Sequence, residues 1–425
     1  MNKIFKVVWN KSKNCYVVVS EFAKNNSGKK KIVVAAVFAA LAMLNSSTSM
    51  AANDTPTSLN STSVGFGSGA SVNGAWSVGL GQGATVNTNS SVGIGYGANA
   101  ATDESVAIGK DSLAQGATTV AIGTNAKVKG SKQGIAIGAG RLANEGAIVE
   151  GDQSIAIGGN TIAKGDASIV IGGDDTDKAN AQTVQYTDIN TGNVVSASLQ
   201  TAVRQLTGVD LSNPRWPTAT SGHASITVGM KAFSGNASIA IGTAADAKNR
   251  LSGTTDVTNA VAIGTGAKAN RDNSVALGGG STTDIAGTKQ TSYTLPSGVV
   301  ATWRGGENTL PGDVVSFGSA GYERQLKNVA PGEVSATSTD AINGSQLAAI
   351  ANELSNKYVS INSIDIPNKD NTGAKATNSI AIGPNASTIL AANKAIAIGD
   401  GASATVINGV AIGSKSVAST AAGVA

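Results

Sequence analysis

The chain has 425 residues, enough for two or three ordinary domains, yet only 4% of them are aromatic and 53 are glycine. Its 41% apolar content consists largely of Ala, Val and Ile, which excludes a thick globular core and points to thin, regular β layers in a long rather than round molecule. The net charge of +4 is concentrated at one end: residues 1–51 hold eight Lys against one acid, Glu21, leaving 23 basic and 26 acidic residues beyond them and no nucleic-acid footprint.

The N-terminus reads as a secretory signal. Lys29-Lys30-Lys31 precedes thirteen apolar residues, too few for a bilayer-spanning helix of about 20, and small residues follow up to Ser49-Met50-Ala51, where cleavage after Ala51 is expected. The only cysteine, Cys15, lies in the part to be removed, so no disulfide framework is available outside the cell. Ahead of the apolar run, Met1 to Ile4, Trp9-Asn10 and Ser20-Glu21-Phe22-Ala23-Lys24 resemble the extended signal peptide of large Gram-negative autotransporters. That resemblance implies export across the inner membrane and then delivery to the outer membrane and cell surface.

After a linker at 52–62, five copies of one pattern start at Ser63, Ser77, Ser91, Ser105 and Thr119, a constant spacing of fourteen that marks a solenoid. The second position is always Val, and the fourth is Phe66, Leu80, Ile94, Ile108 and Ile122. The alternation predicts a strand whose second and fourth residues face inward. Gly67, Gly81, Gly95, Gly109 and Gly123 then predict a tight turn, and the eighth and tenth positions, such as Ala84 and Val86, predict a second strand. Each turn is thus a β-roll, carried over 63–172 and, after an insertion at 173–222, over 223–280. Two short strands enclose little volume, so a partner is expected. On this phase the small residues between the apolar ones, Ala107, Ala121, Ala156, Ala240 and Ala262, point outward to a subunit interface in a homo-oligomer.

The repeated "SVAIG" and "SIAIG" are similar to the head of trimeric autotransporter adhesins, and residues 314–346 resemble that family's neck through Glu323-Arg324-Gln325, Asn328-Val329-Ala330 and Asp340-Ala341, followed by Gln346-Leu347. The resemblance implies an all-β solenoid, a left-handed parallel β-roll of 14-residue repeats, associated as a homotrimer. Leu347, Ile350 and Leu354 fall at helical seam spacing, a short coiled-coil piece over 347–357. Residues 358–425 begin a second roll. No terminal membrane barrel follows, so a fragment or a truncated product, with its outer-membrane anchor elsewhere, is expected.

Enzyme chemistry fails on inventory. His223 is the single histidine and reads as a turn residue, and no nucleophile elbow or zinc motif occurs. A hexapeptide-repeat acyltransferase would need coils of about eighteen residues. The glycines recur every fourteen residues without a helix, which excludes a dinucleotide fingerprint. "GGDDTD" at 172–177 stands alone, where calcium nonapeptides need stacked neighbours, so no cofactor or metal is expected.

The expected function is multivalent, non-catalytic attachment to host matrix proteins, cells or surfaces. The alternative is a structural spacer or an ice-binding solenoid, which regular outward Thr ranks would favour. The resemblance implies binding through Asn-Ser-Val-Ala-Ile-Gly units, best matched by Asn273, Ser274 and Val275 and by Asn378, Ser379 and Ile380. The insertion at 173–222 is read as carrying a short helix within "VVSASLQTAVRQL", and Trp216 there and Trp303 in the insertion at 281–313 are further candidates, as exposed Trp beside Arg or as plugs where the roll is interrupted.

Overall fold

The computed structural model describes residues 5–10, 14–20, 58–59, 61–173, 176–211, 220–294, 300–354 and 372–425. The chain divides into two compact units, Met1–Gln325 and Leu326–Ala425. In the first, every turn contributes two short strands, such as Val106–Ile108 and Leu113–Gln115. Each strand pairs in parallel with its equivalents one turn before and after, so Val106 lies between Val92 and Val120. First strands assemble into a 13-stranded sheet and second strands into an 11-stranded one, both in chain order. The second unit repeats the design with two three-stranded sheets, one containing Ile380–Ile382 and the other Ser387–Thr388.

The strand phase is the reverse of the sequence expectation. Ala107, Ala121, Ala156, Ala240 and Ala262 are fully enclosed, whereas the Val and Ile on either side of them face outward. In most first strands the space facing the second sheet takes only Gly or Ala, so the Val and Ile flanking it are turned outside. A period of two fixes which residues share a face but not which face is inside. Ala107, Ala121 and their equivalents therefore form the interior, not a subunit contact.

In the first turns that interior is matched in volume across the roll, whereas further along Val128 and Val149 are enclosed among Ala121, Ala136 and Ala156. Where the second strand carries Val72 and Val86, the first carries Gly: a Cβ on Gly79 would lie 2.4 Å from Val72 Cγ2, and one on Gly93 2.6 Å from Val86 Cγ2. Where the second strand carries Ala100 and Ala114, the first carries Ala107 and Ala121. Val170 takes the central position opposite Ala163, and Thr227 bonds Ser234 through their hydroxyls.

Serine at position one completes the interior. Ser91 Oγ donates to Thr102 O at 2.9 Å and accepts the Ser105 N–H at 3.2 Å, while the Ser91 N–H reaches Ser77 Oγ at 3.2 Å. This ladder of enclosed hydroxyls satisfies backbone groups at the corner from one turn to the next, a buried hydrogen bond contributing on the order of 1 kcal/mol. The glycine column at position five has a steric cause. Gly109 has φ +126°, and a Cβ there would sit 2.6 Å from the Gly123 carbonyl. No side chain fits between stacked turns.

The insertions fold as small elements of their own. Thr183–Thr187 and Val194–Ser198 form an antiparallel hairpin that leads into the helix Leu199–Thr207. The predicted helical stretch is thus half strand. Ser198 Oγ accepts the Thr201 N–H as N-cap, and Gly208, at φ +73°, ends the helix in the left-handed region. The helix end lies on the roll, where a Cβ on Gly280 would meet Thr207 O at 2.2 Å. Ser292–Thr294 and Val300–Thr302 make a second hairpin. The chain then rejoins the large sheet at Val315–Ser316. Arg324 closes the last turn by donating to Gly279 O at 2.6 Å, Phe317 O at 2.7 Å and Ser281 Oγ at 3.1 Å.

In the second unit, Asn343 Oδ1 accepts the Ser345 and Gln346 N–H groups at the start of the helix Gly344–Leu354. Gln346 reaches back to Gly332, donating to its carbonyl at 2.7 Å and accepting its N–H at 3.1 Å.

Candidate functional site

With the phase known, the six-residue motif separates into distinct tasks. The residue before position one, which is Ser274, Ser379, Ala260 or Gly409, occupies a corner in the left-handed region: φ is +57° at Asn259, +61° at Asn273, +59° at Asn378 and +60° at Asn408. Asn adopts this conformation more readily than other residues with a Cβ, so the leading Asn has a backbone reason to be there. Asn273 is exposed; its Nδ2 donates to Asp313 Oδ1 at 2.6 Å, and its Oδ1 accepts from Asn259 Nδ2 at 2.7 Å. Ser274 is enclosed, with its hydroxyl on Arg271 O at 2.8 Å and beside Thr283 Oγ1 at 3.1 Å. Ser379, half-buried, makes the equivalent contacts to Ala376 O and Thr388 Oγ1, both at 2.8 Å. Val275 is half-buried and Ile380 exposed, both on the outward apolar face. The motif's side chains thus point in different directions and do not converge on one pocket.

The apolar face itself is the largest feature. Val and Ile at positions two and four run along the outer side of the 13-stranded sheet, and Val64, Phe66, Ile137, Ile157, Ile171 and Ile263 are among the exposed ones. An apolar surface of this extent marks an interaction site. Further exposed apolar residues, Leu326, Val334, Ile342, Leu347 and Ile350, lie in the second unit around its helix.

A polar ladder runs along another corner. At position thirteen a side-chain acceptor takes the N–H of the equivalent residue one turn earlier: Asn89 Oδ1 from Ala75 at 3.0 Å, Asp103 Oδ1 from Asn89 at 2.8 Å, and Asp166 Oδ1 from Asp152 at 2.8 Å. His223 occupies one rung, its Nδ1 lying 3.1 Å from the Asp166 N and 3.4 Å from the Asp166 carboxylate. Asp272 is the last rung, accepting the Thr258 N–H at 2.8 Å and pairing with Arg250 through two bonds of 2.7 and 2.8 Å. The Arg250 hydrogen bonds, and then the Thr258 N–H, hold the Asp272 carboxyl below its ordinary range. Asp313, beside Asn273, is also lowered, first by the Leu310 N–H and then by Asn273. These residues line a groove of about 330 Å³.

Trp303 is 43% exposed and follows the second hairpin, its Nε1 donating to Gln290 O at 2.9 Å. Trp216 and Ala51 lie outside the described residues, as do Asp174 and Asp175 of the acidic stretch. Among the described residues there is no group of three or more His, Cys, Asp or Glu placed to hold a metal ion. Sequence reasoning passed over Trp76, which sits at a corner with φ +55° and is 72% exposed. The signal that would have found it is its place in the corner column, where Ser90, Glu104, Thr118 and Asn273 also stand.

Three family models match successive parts of the chain. The extended signal peptide of the type V secretion system covers residues 1–49, and the coiled stalk of trimeric autotransporter adhesins covers 325–370. The YadA head domain repeat covers 89–112, 114–140, 150–174, 258–281, 370–388 and 392–425. Autotransporter adhesin BtaE of Brucella suis biovar 1 is 36% identical over 107 residues, which make up 25% of this chain and 14% of that protein's length. The C-terminal YadA-like domain of a Burkholderia pseudomallei protein is 27% identical, covers 41% of this chain and 66% of its own, and superposes with a TM-score of 0.20. The collagen-binding domain of the Yersinia adhesin YadA is 19% identical, covers 69% of this chain and 99% of its own, with a TM-score of 0.28.

Proposed function

We propose, from the premise that this chain belongs to the trimeric autotransporter adhesins and is exported to the Gram-negative cell surface, that its rolls pack in threes through their Val and Ile faces and attach the cell to host surfaces without catalysis. The observation that carries this reading is the outward Val and Ile rows of the large sheet. An interior built from Ala, Gly and Ser buries few methylene groups, at about 0.8 kcal/mol each, so a single roll gains little from its own core. Covering the outer rows supplies the missing burial. The opposite side, formed by the second strands and corners, then stays open on all three chains, and repeated contacts of modest strength add up through avidity.

Matrix proteins, cells and other surfaces are the ligand classes this reading admits. Asn273 and Asn378 remain candidates because both are exposed corner residues, and Trp303 because its ring is partly open. Among the described residues no outward Thr rank of the kind an ice-binding surface needs runs along the roll: the large sheet presents Val and Ile, and the small-sheet row reads Ser71, Thr85, Asn99, Leu113 and Lys127. The test is adhesion of the exported chain to immobilised matrix proteins and to host cells. Binding by folded trimer is expected, and a folded trimer that adheres to none of them would leave the spacer reading ahead.

A further inference from the structure

The first turns of the roll differ from the rest in two ways. Between Asp54 and Asp103 no residue is charged, in a chain that is 14% charged. The polar groups exposed there are amides and hydroxyls, beside the exposed Val64, Phe66 and Tyr96. Asn87 Oδ1 accepts from Asn73 Nδ2 at 3.0 Å and from Ser71 Oγ at 3.1 Å, and Asn89 Oδ1 accepts the Ala75 N–H at 3.0 Å. With their oxygens committed in this way, Asn87 and Asn89 turn amide NH2 donors toward solvent, and Ser90 beside them is exposed. One turn along, the rows of Asn89 and Ser90 carry Asp103 and Glu104, and the neighbouring rows of later turns carry Lys127, Lys129 and Glu150.

The second difference is Trp76. Its neighbours in the corner column are small or polar, because a left-handed backbone disfavours bulky side chains. The ring covers almost nothing, at 72% exposure, and the roll continues on both sides of it: its N–H is bonded to Thr62 Oγ1 at 3.3 Å, and the Ser58–Leu59 strand lies a turn earlier. It therefore plugs no open end. A strained, solvent-facing indole with no packing role is a mark of a binding site. The Asn89 side chain is bonded to the residue next to it, which places the indole and the amide row on one corner. Trp76 precedes the outward Val78 by two residues and is not itself part of the Val and Ile rows.

We infer that the Trp76 corner, with Asn87, Asn89 and Ser90, is a binding site for neutral glycans, three copies to a trimer. A pyranose ring has an apolar C–H face that stacks on an indole and hydroxyl edges that both donate and accept hydrogen bonds. An anionic ligand would meet the exposed carboxylates of Asp103 and Glu104 one turn along, where Asp103 Oδ1 accepts the Asn89 N–H at 2.8 Å, so uncharged ligands are favoured over sialylated or sulfated ones. The inference rests on the adhesive reading above and names the ligand class.

The test is binding of the exported trimer to arrayed neutral oligosaccharides ending in galactose, N-acetylgalactosamine or N-acetylglucosamine, with sialylated and sulfated glycans and immobilised collagen alongside. Trp76→Ala should lower neutral-glycan binding at least tenfold, and Tyr293→Ala, at an exposed aromatic of the second hairpin, should leave it unchanged. Trp76→Gly relieves the backbone strain, so it should lose binding with no loss of thermal stability; a Trp with a structural role would lose stability instead. Neutral-glycan binding that survives Trp76→Ala, or binding confined to charged glycans or collagen, overturns the inference. A trimer that adheres to cells but to no neutral glycan overturns the inference and leaves the adhesive reading standing. One that adheres to nothing overturns both.

Discussion

The volume matching inside the roll makes a sharp prediction at Gly79 and Val72. Adding a Cβ to Gly79 places it 2.4 Å from Val72 Cγ2 and 3.5 Å from Val86 Cγ2. Both valines are fully enclosed and held in one rotamer by β-branching, so neither moves aside readily. Gly79→Ala should therefore cost about 1–3 kcal/mol as overpacking. Val72→Ala alone removes two methyl groups and leaves a cavity, at a cost of about 1.5–3 kcal/mol. Together they recreate the Ala-against-Ala arrangement found at Ala107 and Ala100, so the double variant should be more stable than the sum of the singles by about 1 kcal/mol or more. Amide hydrogen exchange across residues 64–100, measured on the exported trimer, reads the local opening free energy of each variant. Additivity within about 0.5 kcal/mol would refute the inward phase of the central residues.

Other positions give independent checks. Gly109→Val should open the stack locally at a cost of about 1–3 kcal/mol, because its φ of +126° and the Gly123 carbonyl exclude a side chain; equal exchange protection in variant and parent would remove the steric account. Ser91→Ala should cost about 1–2 kcal/mol by leaving the buried Ser105 N–H without its acceptor, while the Thr102 carbonyl keeps the Ser105 hydroxyl, read by the same exchange. Folding lowers the Asp272 pKa, so the unfolded chain takes up that proton first; the contribution is present above pH of about 4 and is lost as pH falls through the folded value. Arg250→Gln should raise the Asp272 pKa and narrow that acid-labile window, as followed by carboxyl NMR titration, and an unchanged titration would discount the pair.

Much of this molecule was legible in its sequence, for reasons specific residues make plain. The fourteen-residue period survives because each turn must stack on the next, and Gly109 and its column persist because a Cβ would strike the adjacent carbonyl. The phase was not legible. Val106, Ala107 and Ile108 alternate equally well with either face inward, and the choice depends on how close the two sheets lie, which no single turn reveals. Ser274 and Ser91 read as strand starts, and their hydrogen-bonding role appears only when turns are stacked. Asn273 and Asn378 looked like ligand contacts and turn out to share a left-handed corner with Trp76. Trp76 stands out only once that corner is recognised, because its peptide conformation, not its neighbours in sequence, makes it unusual. The helix in the first insertion was half legible, since Val194 to Ser198 carry β-branched and small residues that suit a hairpin equally well.

The central claim is that the Val and Ile rows hold three chains together. Sedimentation of the exported chain, compared with an Ile108→Asp/Ile122→Asp variant and with Thr85→Asp on the small sheet, tests it most directly. The account predicts a three-chain mass for the parent and for Thr85→Asp, and dissociation of the Ile variant with its β-sheet circular dichroism retained. An Ile variant that stays trimeric, or a parent that sediments as a stable single chain, would contradict it.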